Sequence, residues 1–189
     1  MRAPIVAVML TGILTASLSQ VVALAAENDE HQRLIERGEY LVNYGGCNDC
    51  HTPKLLTPEG PMPDKGKLLS GHPSTAKLPE LPAGIIGPDK WGALTNNDLT
   101  AWVGPWGVSF AANLTPDNGT GMGGWTEELF IKAMRTGKHL GVGRNILPPM
   151  PWLSLAALSD EDLKAIFAYL GSIKPIGNAV PQPIPPQVP

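Results

Sequence analysis

The residues best suited to chemistry stand together at Cys47-Asn48-Asp49-Cys50-His51, two thiols three positions apart with an imidazole directly after the second. This is the attachment signature of a c-type haem. Two sulfurs at that spacing can bond to the two vinyl groups on one side of a porphyrin, while His51 reaches under the ring to the iron. Three other chemistries compete for the same residues. A thioredoxin-like pair wants a strand before it and a helix after it, and neither Tyr44-Gly45-Gly46 nor Thr52-Pro53 reads that way. A zinc site needs further Cys or His at ligand spacing, yet His31, His72 and His139 are scattered singly. A disulfide inside so small a loop would be strained. The chain has only these 2 cysteines, so the expectation is one covalent haem c.

The sixth iron ligand then decides the chemistry, because a thioether raises the reduction potential and closes the iron, whereas a second histidine lowers the potential and an empty position admits other molecules. Met150 leads the candidates. It sits in Leu147-Pro148-Pro149-Met150-Pro151-Trp152, whose prolines fix backbone dihedrals and stiffen the loop. Met62, between Pro61 and Pro63, is the runner-up on the same ground. Met134 falls at helical spacing with Phe130 and reads as core. Met122 lies in a glycine run expected to be flexible, and His72 and His139 read as surface or loop residues, though either would give a two-histidine site. A basic run, Lys132, Arg135, Lys138, His139 and Arg144, precedes Met150. Arg135 or Arg144 is expected to pair with a haem propionate, and the others to form a rim that steers an acidic partner. A solvated face is the simpler role for Lys132 and Lys138. Trp125 either donates its indole N–H to a propionate or fills the core.

Three helices are expected to position these groups. The first covers 29–43, with Leu34, Leu41 and Val42 on one face and Gly45-Gly46 as its stop. Gly38 costs such a helix about 1 kcal/mol against alanine, which a close helix crossing would explain. The second starts after an N-cap at Thr126, with Glu127 and Glu128 in its first turn, and stops at Gly137. The third follows Ser159-Asp160-Glu161-Asp162 and carries Leu163, Ile166, Phe167 and Leu170 along one stripe, ending at Gly171. The segment 53–109 shows no sustained period, bears Trp91, Trp102 and Trp106, and reads as a long loop insertion folded over a haem edge. The proline-rich tail 175–189 reads as extended with a disordered end, or as a docking strap.

The 189 residues suffice for one domain, and Gly 21 with Pro 20 points to few regular elements joined by irregular loops. Residues 1–25 read as a secretory signal: Arg2 is the only charge, an apolar run follows, and Ala23-Leu24-Ala25 offers a small-residue cleavage site. The competing reading is an uncleaved membrane anchor, against which the polar residues Thr11, Thr15, Ser17, Ser19 and Gln20 argue. Cleavage leaves a domain over 26–174 and the tail, moves the formal charge from −3 to −4, and places the protein in the periplasm. That charge argues against a nucleic-acid partner, and membrane association is expected only if the signal stays.

Taken in order, Arg37-Gly38-Glu39-Tyr40-Leu41, the Cys-His motif, Asn113-Leu114-Thr115-Pro116-Asp117, Gly124-Trp125-Thr126, Pro149-Met150-Pro151-Trp152 and Ser159-Asp160-Glu161-Asp162-Leu163 resemble bacterial class I cytochromes c. The chain is most similar to the cytochrome c domains of alcohol and gluconate dehydrogenase cytochrome subunits. The resemblance implies an all-α fold, three core helices around one haem, thioethers at Cys47 and Cys50, His51 as proximal ligand and Met150 as distal ligand. Those subunits hold several haem domains, whereas this chain holds one motif. The expected function is a periplasmic one-electron carrier serving redox partner proteins, and not an enzyme. The alternatives are a haem c subunit of a dehydrogenase or oxidase complex, or a haem enzyme or gas sensor with an open iron site.

Overall fold

The computed structural model describes the backbone of residues 6–186 and the side chains of 20–186, so the expected export segment 1–25 lies largely outside the described side chains. Among the described residues no helix is long and apolar enough to cross a membrane. Five helices run in the order α1 (Val6–Tyr44), α2 (Cys47–His51), α3 (Glu127–Thr136), α4 (Trp152–Ala156) and α5 (Asp160–Ser172).

The core forms where α1, α3 and α5 meet, around Val42, Leu69, Phe130, Ala133, Met134, Leu163, Ile166 and Leu170. Gly38 explains how α1 and α5 approach: a Cβ there would collide with the backbone carbonyl of Ala165 and with Tyr169 Cβ. The glycine is tolerated because the two backbones cross at that point, and Arg37 Nε donates to Asp162 Oδ1 at 2.9 Å beside the crossing. The N-cap expectations hold, whereas α5 runs through Gly171 to Ser172. Thr126 Oγ1 accepts from Leu129 N at 3.2 Å, and Ser159 Oγ accepts from Asp162 N at 3.1 Å. Helix α3 closes on Gly137 at φ 63, where the Trp152 indole leaves no room for a side chain.

The fold is not all-α. Two small antiparallel sheets lie between α2 and α3: a hairpin of β1 (Lys54–Thr57) and β2 (Gly60–Pro63), and a three-stranded sheet of β3 (Leu94–Thr95), β4 (Ala101–Gly104) and β5 (Gly107–Phe110). Strands of two to four residues, interrupted by Gly and Pro, are too short to display a period of two, which is why 53–109 reads as loop in sequence. Within it Trp102 Nε1 donates to Leu99 O at 2.8 Å and Trp106 Nε1 to Ser109 Oγ at 3.2 Å, while Trp91 is 63% exposed.

Through residue 186 the tail is a strap bonded to the body. Val108 and Ile184 exchange backbone hydrogen bonds of 2.8 and 3.0 Å. Asn178 Nδ2 donates to Ser70 O at 2.7 Å and His72 O at 2.9 Å, and its Oδ1 accepts from Ser74 N at 2.9 Å. Ile176 O accepts from Asn113 Nδ2 at 2.8 Å. Prolines keep the tail extended, and these bonds tie it across the body at residues distant in sequence.

Candidate functional site

Helix α2 consists of the five residues of the Cys-His motif. Gly46, at φ 66, turns the chain sharply out of α1 so that α2 can begin at the next residue. Cys47 and Cys50 are both free thiols, half-buried, and burial pushes both up from the usual thiol range. The far end of α2 is held by two groups. Thr52 Oγ1 donates to Asn48 Oδ1 at 2.7 Å and accepts from Leu69 N at 2.9 Å. Lys54 Nζ donates to the carbonyls of Asn48, Asp49 and Thr52 at 3.2, 2.8 and 2.6 Å. An ammonium at a helix C-terminus satisfies orphan carbonyls and favours the dipole. Burial pulls the Lys54 ammonium down from its ordinary value even so.

His51 is buried, and its Nδ1 stands 2.8 Å from Ala112 O. A carbonyl only accepts, so Nδ1 carries the proton and Nε2 is left with its lone pair. The orienting carbonyl lies sixty-one residues further along the chain. Burial pushes the imidazole pKa down and the Ala112 carbonyl pushes it up. The strap that carries Ala112 is fixed on both sides: His72 N donates to Ala111 O at 2.9 Å, Ala111 N to Thr100 O at 2.8 Å, and Leu114 N to Leu69 O at 2.8 Å. Gly71, at φ 79, donates its N–H to His51 O at 2.8 Å and has the 111–112 backbone against it.

The same strap reaches the Met150 loop. Ser109 Oγ, on β5, donates to Pro148 O at 2.6 Å, and Trp152 N closes the loop on Met150 O at 2.9 Å. Residues 109–112 therefore bond to both the Met150 loop and the His51 ring. Met150 is half-buried, whereas Met62 is 51% exposed on β2 opposite Leu55. Met134 is core, as expected, and so is Met122. The run around Met122 is not loose: Met122 N donates to Thr115 O at 2.7 Å, and Asp117 Oδ1 accepts from Thr120 N and Oγ1 at 2.8 and 2.7 Å.

The other candidates separate. Arg135 Nη2 pairs with Asp160 Oδ1 at 2.5 Å and its Nη1 donates to Ala156 O, so this guanidinium joins α3 to the ends of α4 and α5. Arg144 is exposed, with Nη1 on Asn145 O at 3.2 Å. Trp125 is half-buried against the core, and His139 meets it edge-on at 5.2 Å. His139 is exposed, as expected, with Lys132 and Lys138 beside it in sequence also exposed. His72 is not a surface residue: it is 1% exposed. Sequence reasoning missed Lys54, Gly71 and Ala112. A basic residue shortly after a short helix was a readable signal for Lys54, but a carbonyl has no residue-type signature.

Among the described residues no three His, Cys, Asp or Glu side chains gather as a metal site. A bare-ion centre at Cys47, Cys50 and His51 therefore does not fit. A haem does: both thiols are free, and the imidazole presents one nitrogen while its other is locked by a backbone carbonyl, the arrangement that metal-ligating histidines use.

No protein-family model matches the chain. The gluconate 2-dehydrogenase cytochrome c subunit of Pantoea cypripedii is 30% identical over 158 residues, 83% of this chain and 27% of that protein. The cytochrome c subunit of the quinone alcohol dehydrogenase of Gluconobacter oxydans is 29% identical over 80% of this chain and 24% of its own length. The fructose dehydrogenase cytochrome subunit of Gluconobacter japonicus is 26% identical over 95% of this chain and 30% of its own length. The chain thus spans less than a third of each of these curated relatives. Over most of its own length, it is similar to the cytochrome c subunits of sugar-acid, alcohol and sugar dehydrogenases.

Proposed function

We propose that the protein is a haem c electron-transfer subunit of a dehydrogenase complex, with a cytochrome c fold around a single covalent haem ligated by His51 and Met150. The observation that carries it is the free Cys47 and Cys50 pair beside a buried imidazole whose Nδ1–H is fixed on Ala112 O at 2.8 Å. Cys47 and Cys50 would hold the cofactor through two thioether bonds, one from each sulfur. His51 presents Nε2 to the iron, with its tautomer and ring angle set by Ala112. Met150 supplies the thioether from a loop held by Ser109. The bound haem supplies a one-electron couple at its iron. With His51 and Met150 as its ligands, the chain's residues would tune and shield that couple and would activate no substrate.

Lys132, Lys138 and His139 form the exposed rim before the Met150 loop, suited to steering an acidic redox partner. Trp125 and Arg144 remain as propionate contacts. Export to the periplasm through residues 1–25 completes the reading, carried by Arg2, the apolar run after it and the small-residue site at Ala23-Leu24-Ala25. The single motif favours a second reading, a free periplasmic carrier.

The test is the absorption spectrum of the oxidised protein purified from a bacterium that matures cytochromes c. A weak far-red band from thioether-bound iron is expected, lost in Met150→Ala and kept in Met62→Ala. Colourless protein with both thiols open to alkylation overturns the haem; loss of the band in Met62→Ala alone reassigns the ligand. Copurification with a dehydrogenase catalytic subunit separates the complex from the free carrier, and carbon monoxide binding to the reduced protein would mark an open iron site.

A further inference from the structure

One buried polar atom is left unanswered among the described side chains: Nε2 of His72. The ring is almost wholly buried, packed at 4.9 Å against Phe110, and its Nδ1 lies 2.9 Å from Thr100 Oγ1. The state of this ring follows from the atoms around Thr100. Asn96 Oδ1 accepts from the backbone N–H of Thr100 at 2.9 Å and of Ala101 at 3.0 Å, which fixes the orientation of that amide. Asn96 Nδ2 therefore faces Thr100 Oγ1 at 3.3 Å as a donor. Thr100 is fully buried, so its hydroxyl proton also needs an acceptor, and His72 Nδ1 is the one within reach. Thr100 O–H donates to Nδ1, and the neutral ring carries its proton on Nε2.

His72 thus presents a buried N–H with no acceptor, at a cost of about 1–3 kcal/mol if it stays that way. Its backbone is tied to the proximal assembly. His72 N donates to Ala111 O, next to the carbonyl that orients His51, and Gly71 N donates to His51 O. A protonated Nε2 cannot ligate iron, so the ring is built to donate to an oxygen. We propose that His72 Nε2–H is a positioning hydrogen bond to a carboxylate of the bound cofactor, which on the haem reading is a propionate. The carboxylate answers the orphan donor, and the donor withdraws carboxylate charge that would otherwise favour ferric iron.

The experiment uses holoprotein with His72→Phe, His72→Gln and Thr100→Val, read by resonance Raman bands of propionate bending, midpoint potential, and nitrogen NMR of the ferrous state. The wild type is expected to show the Nε2-protonated tautomer. His72→Phe should shift one propionate band and lower the midpoint potential, and His72→Gln, which keeps an amide donor, should lie between. Thr100→Val serves should His72→Phe not fold; by freeing the tautomer it should shift the same band less. Unchanged bands and potential in coloured protein overturn the assignment and leave water as the partner of Nε2. Loss of the low-spin spectrum in His72→Phe overturns it in favour of iron ligation. Colourless wild type overturns the haem reading itself, which is a different failure.

Discussion

Replacing Gly71 with alanine tests whether the close approach of two strands is what aims His51. Gly71 sits at φ 79, and a Cβ there would lie 2.5 Å from Ala111 O and 2.6 Å from both Ala112 C and Ala112 O. Ordinary contact begins near 3.4 Å, so the 111–112 strap must retreat by about 0.8 Å. Ala112 O receives His51 Nδ1–H at 2.8 Å, and a retreat of that size stretches the bond to roughly 3.6 Å, beyond a real hydrogen bond. The left-handed backbone costs about 1–2 kcal/mol, overpacking about 1–3, and the lost bond about 1, so about 3–6 kcal/mol in all. Gly84→Ala is the control, because Gly84 has φ 70 but meets only the mobile tip of Lys90 at 3.3 Å. It should lose the backbone cost alone. Denaturant unfolding of both variants, with the His51 ring nitrogens followed by NMR, reads the difference. Equal losses in the two, with the Nδ1–H resonance of His51 unmoved, would refute the reasoning.

Asn178→Ala removes three side-chain hydrogen bonds that pin the C-terminal strap, and should lower unfolding free energy by about 2–4 kcal/mol and admit protease to the tail; a change within measurement error would show that the strap is held elsewhere. Arg135→Ala should cost about 1 kcal/mol, given the partial exposure of its ion pair, and leave the visible spectrum and midpoint potential unchanged; a moved potential would restore it as a propionate partner. Burial lowers the pKa of both His72 and His139 below the ordinary 6.5, while Asp98 opposes the shift at His72 and Arg144 adds to it at His139. The unfolded chain therefore binds more protons on the acid side, and stability should be full above about pH 6.5 and fall as pH drops below it. Urea midpoints from pH 7.5 down to 5 should show this slope, shallower in His72→Gln; an unchanged slope in that variant would show that His72 does not supply it. Lys54→Met strips three carbonyls of their shared donor and should loosen α2, seen as faster amide exchange at Cys50 and His51.

The residues of the site were legible in sequence because covalent attachment needs fixed types at a fixed short spacing, and Cys47, Cys50 and His51 are local. Helix ends were legible for the same reason: Thr126, Gly137 and Ser159 satisfy or terminate backbone groups within a turn of themselves. Gly38 announced a close crossing without saying against what. The tertiary structure decided the partners. It set Ala165 against Gly38, the Ala112 carbonyl on His51, Asn178 between Ser70 and Ser74, Arg135 on the end of α4, and His72 inside instead of outside. Each of these joins residues far apart in the chain, many through backbone atoms that every residue carries, so no side-chain alphabet could have spelled them. The short strands of 54–110 belong with them, since two-to-four-residue pairings acquire meaning only from the neighbour that completes their hydrogen bonds.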